Sequence, residues 1–190
     1  GAFFRLNYDY RSKYLLEVNG RYDGSSKYAK HDRWAFFPSA SVGWRISEEK
    51  FFKSLSKVVD NLKIRASIGA LGNQITDGNH SFMSIISGKV LTNYMMDGKI
   101  VNGLNIPTLP SMVTWEKVIT KDIGLDWSLF KNRLFGSFDF YVRDTKDMVR
   151  SVTLPAVLGT SGGKENIADM RTVGWELEMT WKDRIQNVLG

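Results

Sequence analysis

Residues 2–10 alternate between two faces: Phe4, Leu6, Tyr8 and Tyr10 on one, Arg5, Asn7 and Asp9 on the other. Successive side chains of a β-strand point to opposite faces, so this run predicts a two-faced strand. Arg11-Ser12-Lys13 is a short polar turn. Residues 14–23 then repeat the pattern, Tyr14, Leu16, Val18 and Tyr22 against Glu17, Asn19, Arg21 and Asp23, and the two runs predict a hairpin. A third run, 34–45, places Trp34, Phe36, Ala40, Val42 and Trp44 opposite Ser39, Ser41, Gly43 and Arg45. Pro38 inside it cannot donate to a sheet ladder, so a bulge or irregularity is expected there.

The period breaks at residues 47–59, where Ser47-Glu48-Glu49 reads as a helix start followed by Phe51, Phe52, Leu55, Val58 and Val59 at helical spacing. One short helix tucked against the sheet end is expected. Alternation returns at 62–70 (Leu62, Ile64, Ala66, Ile68). It continues at 115–129 (Ile119, Ile123, Leu125, Trp127, Leu129), at 134–146 after a Lys131-Asn132 turn, and at 172–182 (Val173, Trp175, Leu177, Met179, Trp181). About seven strands follow from this pattern. Their connections differ by end. Short turns at 11–13 and 131–132 and the helix-bearing link at 46–60 share one end, and loops at 24–33, 71–114 and 147–171 share the other. Short turns opposite long loops are the habit of an up-and-down outer-membrane barrel.

A soluble β-sandwich also has alternating strands, so two quantities arbitrate. The runs span about 9–13 residues, nearer the ~9–11 of a tilted membrane strand than the ~5–6 usual in globular sheets. Trp34 and Trp44 lie about 25 Å apart along a membrane normal, the height of the apolar band between two aromatic girdles. Trp115 and Trp127 give roughly 30 Å, whereas Trp175 and Trp181, about 15 Å apart, do not span two girdles. All six are taken as membrane-girdle aromatics. The opposite face carries Glu17, Arg21, Arg65, Asp122, Asp139 and Glu176, as a watery lumen permits.

Composition removes whole classes of chemistry. The 190 residues contain no cysteine and two histidines, His31 and His80, which excludes disulfides, thiolate chemistry and a histidine-rich metal site. A net charge of +6 suits an anionic partner, but the basic residues are scattered singly, so no nucleic-acid footprint is read. No apolar stretch is long enough for a transmembrane helix. Gly1-Ala2-Phe3-Phe4-Arg5 already reads as structure, without a signal peptide, and with no initiating Met either the mature start lies here or the sequence is an internal fragment, the reading that the rest of the chain favours.

No catalytic constellation survives, and no cofactor is expected. A Ser-His-Asp arrangement would need one of two loop histidines. Asp139, Asp144 and Asp147 near Asp122 and Asp126 match no calcium-loop spacing. Gly159-Thr160-Ser161-Gly162-Gly163-Lys164 lacks the spacing and the following helix of a phosphate loop. Tyr28 and Tyr94 are loop aromatics able to stack on a sugar ring, though loop aromatics more often pack on neighbouring loops.

Several segments carry a resemblance. They are Glu17 to Lys27, Trp34-Ala-Phe-Phe-Pro-Ser-Ala-Ser-Val-Gly-Trp-Arg-Ile-Ser-Glu-Glu-Lys-Phe-Phe52, Leu62 to Gln74, Trp115 to Trp127, Phe138 to Met148, and Val173 to Glu178. In order, and over nearly the whole chain apart from about 75–113, the sequence resembles the barrel of SusC/RagA-type TonB-dependent transporters. One departure is Ala168-Asp169, where a glycine is expected. The resemblance implies an all-β, antiparallel, 22-stranded transmembrane barrel of the bacterial outer membrane. Residues 1–190 would be a partial barrel domain, with the plug domain and remaining strands absent. It further implies active import of glycans or peptides, a SusD-like surface lipoprotein as partner, energy from the TonB complex through the missing N-terminal part, and outer-membrane lipid around the wall. Two other classes stand beside it: a soluble carbohydrate-binding β-sandwich, and an outer-membrane barrel enzyme.

Overall fold

The computed structural model describes residues 1–74, 90–104, 113–158 and 162–183. Seven antiparallel strands form one sheet in the order β1-β2-β3-β4-β7-β8-β9, each joined to the next along the chain by an up-and-down connection. They are β1 (Ala2–Tyr10), β2 (Tyr14–Gly24), β3 (Trp34–Arg45), β4 (Val59–Asn73), β7 (Glu116–Leu129), β8 (Leu134–Ser151) and β9 (Lys164–Trp181). A separate two-stranded sheet pairs β5 (Val90–Met96) with β6 (Lys99–Leu104).

That hairpin lies inside the region expected to be loop. Its turn is Asp97-Gly98, with φ of 52° and 69°. An Asp-Gly pair accepts two positive φ values at little cost and matches the twist of the flanking strands. The signal is local and was present in the sequence.

Pro38 causes no register shift. It pairs with Gly20 of β2, and the ladder from β3 to β4 ends beside it at Ser39↔Gly69, so its missing N–H falls where that ladder stops.

The expected helix over 47–59 is not an α-helix. Two 3-10 turns, Ile46–Glu48 and Lys50–Ser54, are separated by Glu49 in extended conformation (φ −80°, ψ 146°). Ser47 caps neither; its hydroxyl lies 3.3 Å from Asn61 Oδ1. Glu49 is held out of a helix by its own side chain, which bonds to Lys13, Tyr14 and Trp44 on the neighbouring strands and turn.

Strands β8 and β9 run further than the alternation suggests and shorten the loop between them to residues 152–163. A bulge explains the lost period: the register shifts between Thr145 and Val149, and Asp147 adopts φ 57°. Asp169 Oδ1 accepts the Asp147 amide at 3.1 Å, and Asn166 Nδ2 donates to the Asp147 carbonyl at 2.5 Å. Ala168-Asp169 therefore sits inside a strand and serves this bulge.

Candidate functional site

The working parts of this chain are two faces and two ends of one sheet. The strand registers align the apolar positions into continuous rows across all seven strands. One row runs Tyr10, Tyr14, Trp44, Ile64, Leu125, Phe138, Leu177. The next runs Tyr8, Leu16, Val42, Ala66, Ile123, Phe140, Trp175, and a third, interrupted on β7 by Lys121, runs Leu6, Val18, Ala40, Ile68, Lys121, Val142, Val173. A one-residue slip in any pair would throw a strand's apolar set onto the other face, so the pattern itself selects the register. This face is uncovered: Ile123 is 60% and Trp175 67% exposed in the middle of it. A sandwich core would bury both.

The opposite rows are polar. Asp9, Leu15, Gly43, Arg65, Gly124, Asp139 and Glu176 form one, and Asn7, Glu17, Ser41, Ser67, Asp122, Tyr141 and Gly174 the next. Arg65 organises the centre. Its guanidinium lies 3.1 Å from Asp126, 2.6 Å from Asp139 and 3.6 Å from Asp122. Elsewhere on this face Asn19 accepts from Arg5 Nε and donates to Glu17, and Arg21 pairs with Asp23 at 2.5 Å. The six polar residues picked out in the sequence thus share one side of the sheet, and four of them, Arg65, Asp122, Asp139 and Glu176, belong to adjacent rows around one arginine.

At the long-loop end a small aromatic core closes. Tyr28, Phe37, Val113 and Trp115 are buried together, with Ala35 and Val149 against them. The Trp115 ring centroid lies 5.1 Å from Tyr28 and 5.5 Å from Phe37, and its indole N–H donates to the Arg33 carbonyl at 3.4 Å. Phe37 uses the space that a side chain at Gly72 would need. Burial, and then the nearby Glu116 charge, pushes the Tyr28 phenol above its ordinary range. Two expectations are corrected here. Trp115, 4% exposed, cannot sit in an outer girdle, because it precedes β7 and folds onto the loop. Tyr28, 1% exposed, offers no ring face to a substrate, because it is the centre of that core. The sequence held the aromatic residues but not their convergence from positions as far apart as 28 and 115.

The other five tryptophans lie on or at the ends of the apolar face. Trp34 stacks on Tyr22 at 5.2 Å near the loop end, while Trp44 lies near the turn end beside Tyr14. Trp127 and Trp181 lie on the turn-end rows through Leu62 and Leu134, and Trp175 contacts Phe138 at 6.5 Å. The side chain of Tyr94 lies outside the described residues, as do His80 and residues 159–161 of the glycine-rich loop. His31 lies 2.8 Å from the adjacent Asp32 in the loop, and the described residues contain no cluster of metal-ligating side chains.

At the short-turn end Glu49 is a clasp. Its carboxylate accepts from Lys13 Nζ and Tyr14 Oη, each at 2.9 Å, and from Trp44 Nε1 at 3.4 Å. These bonds, the lysine first, hold Glu49 below the usual carboxylate range. The neighbouring turn is tied down similarly: the Phe130 amide donates to the Val58 carbonyl and the Asn132 amide to Asp60 Oδ2, both at 2.9 Å.

Comparison with known proteins agrees with this geometry. A family model described as TonB dependent receptor-like, beta-barrel, matches residues 1–190. The chain is 34% identical over 177 residues to TonB-dependent receptor P26 of Formosa agariphila, covering 93% of this chain and 18% of that protein. It is 31% identical over 184 residues to TonB-dependent receptor SusC of Bacteroides thetaiotaomicron, covering 95% and 18%. Among solved structures, the RagAB peptide transporter superposes with a TM-score of 0.77 at 28% identity, covering 97% of this chain and 20% of that one. The chain spans about a fifth of the length of these relatives. With a match over its full length and strands, faces and registers that fit a barrel wall, the chain belongs to the TonB-dependent receptor β-barrel family, and to its SusC/RagA type.

Proposed function

We propose that this chain is seven neighbouring strands in the wall of an outer-membrane TonB-dependent transporter that imports glycans or peptides. In this reading a SusD-like surface lipoprotein delivers the substrate. The TonB complex supplies the energy through a plug domain belonging to the longer protein. The observation that carries the reading is the set of apolar rows crossing every strand with their side chains uncovered. In water such a face far exceeds the few hundred Å² that soluble monomers expose, whereas lipid is its natural solvent. It also weighs against a soluble sandwich, because no second sheet among the described residues covers Ile123, Phe140 or Trp175.

The face bearing Glu17, Arg21, Arg65, Asp122, Asp139 and Glu176 then lines the lumen. Trp34, Trp44, Trp127, Trp175 and Trp181 belong to the lipid side. The short turns and the Glu49 segment are periplasmic, and the long loops extracellular. The structurally similar RagAB protein is a peptide transporter, which supports the peptide arm of the proposal. Open edges at β1 and β9 fit further strands on both sides, since unpaired backbone groups are not tolerated in lipid.

Intact cells making the full-length protein test both halves. A membrane-impermeant thiol reagent is expected to label Gly98→Cys and spare Lys131→Cys; the reverse overturns the orientation. Uptake of a fluorescent oligosaccharide or peptide set is expected to stop when TonB is deleted, and uptake indifferent to TonB would sink the transport reading.

A further inference from the structure

The segment after Glu49 has features the barrel wall alone does not require. Glu49 accepts bonds from Tyr14 Oη and Trp44 Nε1, both on the apolar face and in its outermost complete row at the turn end. These two bonds bring the chain to the apolar side of the sheet rim, while the Lys13–Glu49 and Ser47–Asn61 bonds anchor the start of the segment at the polar side. From there Phe52 turns inward and is buried, while Phe51 is left 67% and Leu55 56% exposed. Val58 and Phe130, joined through the Phe130 amide, extend the exposed apolar surface to the next turn. Lys50, Lys53 and Lys57 interleave with these residues, all three exposed and without an ionic partner among the described residues. β3 and β4, which carry this segment, are interior strands, so further strands at the sheet edges do not reach it.

A short element with bare apolar side chains, lysines between them and an aromatic belt beside it has the composition of a membrane-interface element. We propose that residues 50–58, with Phe130, form an interfacial foot in the headgroup layer of the leaflet at the short-turn end. Phe51 and Leu55 enter the boundary between headgroups and acyl chains, and the three lysines meet phospholipid phosphates. Two observations select lipid as the occupant. The patch is continuous with the apolar face through Trp44 and Tyr14, and its unpaired charge is of one sign, complementary to phosphate. The inference rests on the barrel reading above.

Depth-dependent quenching tests it in the full-length protein, reconstituted in phosphatidylethanolamine with phosphatidylglycerol. An environment-sensitive fluorophore is placed at Phe51→Cys or at Ile123→Cys; this chain has no cysteine of its own. Lipids carry a nitroxide near the headgroup or deep in the acyl chain. The expected result is strong quenching of position 51 by the shallow nitroxide and of position 123 by the deep one. The triple variant Lys50→Ser, Lys53→Ser, Lys57→Ser should lower quenching at 51 by about half. Deep quenching at 123 with none at 51 overturns the foot and leaves the barrel standing, as would be seen if the patch meets a periplasmic protein. No quenching at 123 overturns the barrel and the foot together. Quenching at 51 indifferent to the lysines overturns the phosphate contact.

Discussion

Arg65 and Asp139 meet at 2.6 Å although β7 runs between the strands that carry them. Both are register partners of Gly124, and the guanidinium lies over that bare backbone to reach the carboxylate. Neighbouring strands are ~4.8 Å apart, so the pair spans nearly ~10 Å of sheet, which a long side chain crosses only where nothing stands between. A Cβ at position 124 would lie 2.5 Å from Asp139 Oδ1 and 2.7 Å from Arg65 Cζ.

Gly124→Ala is therefore expected to part Arg65 from Asp139 and to destabilise the folded barrel by about 1–3 kcal/mol, the usual range for overpacking. Urea midpoints of the full-length protein in detergent check this. The Gly43→Ala control faces only Lys63 at 3.1 Å and Leu15 at 3.4 Å, and should cost less. Equal midpoints for the two would count against the bridging role.

The two faces should answer differently to charge. Ile123→Arg puts a cation in the middle of the apolar face and is expected to cost roughly 2–4 kcal/mol near a bilayer midplane. Asp126→Asn removes one contact of an arginine that keeps Asp139, and should cost much less. The yield of heat-modifiable folded barrel separates the variants.

The loop-end core makes an asymmetric prediction at one residue. Tyr28→Ala should release the 25–33 loop, with a cost of about 3–5 kcal/mol for losing a buried aromatic, read as faster proteolysis of that loop. Tyr28→Phe should be neutral or slightly stabilising, because the buried hydroxyl finds no hydrogen-bond partner among the described residues. A Phe variant as labile as the Ala variant would show that the hydroxyl is bonded.

Glu49 should make the turn end sensitive to acid. Its pKa is depressed in the folded chain, chiefly by Lys13, so its contribution is fully present above the ordinary glutamate value of about 4.3. That contribution is lost as pH falls through the depressed value. Amide hydrogen exchange over residues 46–55, corrected for its intrinsic pH dependence, should lose protection as pH falls below about 4.3 in the native protein. Glu49→Gln should already be unprotected at neutral pH and change little on acidification.

The β1–β2 turn carries strain that substitution can relieve. Arg11 and Ser12 both have φ of 55°, a region costing non-glycine residues about 1–2 kcal/mol each. Ser12 recovers part of this through its amide, which donates to Asp9 Oδ1 at 2.7 Å. Arg11→Asn with Ser12→Gly is expected to raise the urea midpoint, and a lower midpoint would mean that the arginine packs productively, as its place 5.1 Å over Tyr10 allows.

Alternation along the chain determined the seven strands, their two faces and the hairpin order, because a period of two leaves one register that keeps each apolar set together. It also made the apolar side of the sheet legible, down to Ile123 and Leu125. It stopped at the Asp147 bulge, where an extra residue in β8, followed by one in β9, broke the period and hid the loop-end parts of both strands. It misread residues 47–59, since helical spacing says nothing of a carboxylate claimed by Lys13, Tyr14 and Trp44. Residues distant in sequence came together only through strand pairing. Arg65 found Asp126 and Asp139 across β7, and Trp115 left the expected girdle for Tyr28 and Phe37. Local pattern records which way a side chain points; what it meets there depends on the partner strand's register, and that is a property of the folded sheet.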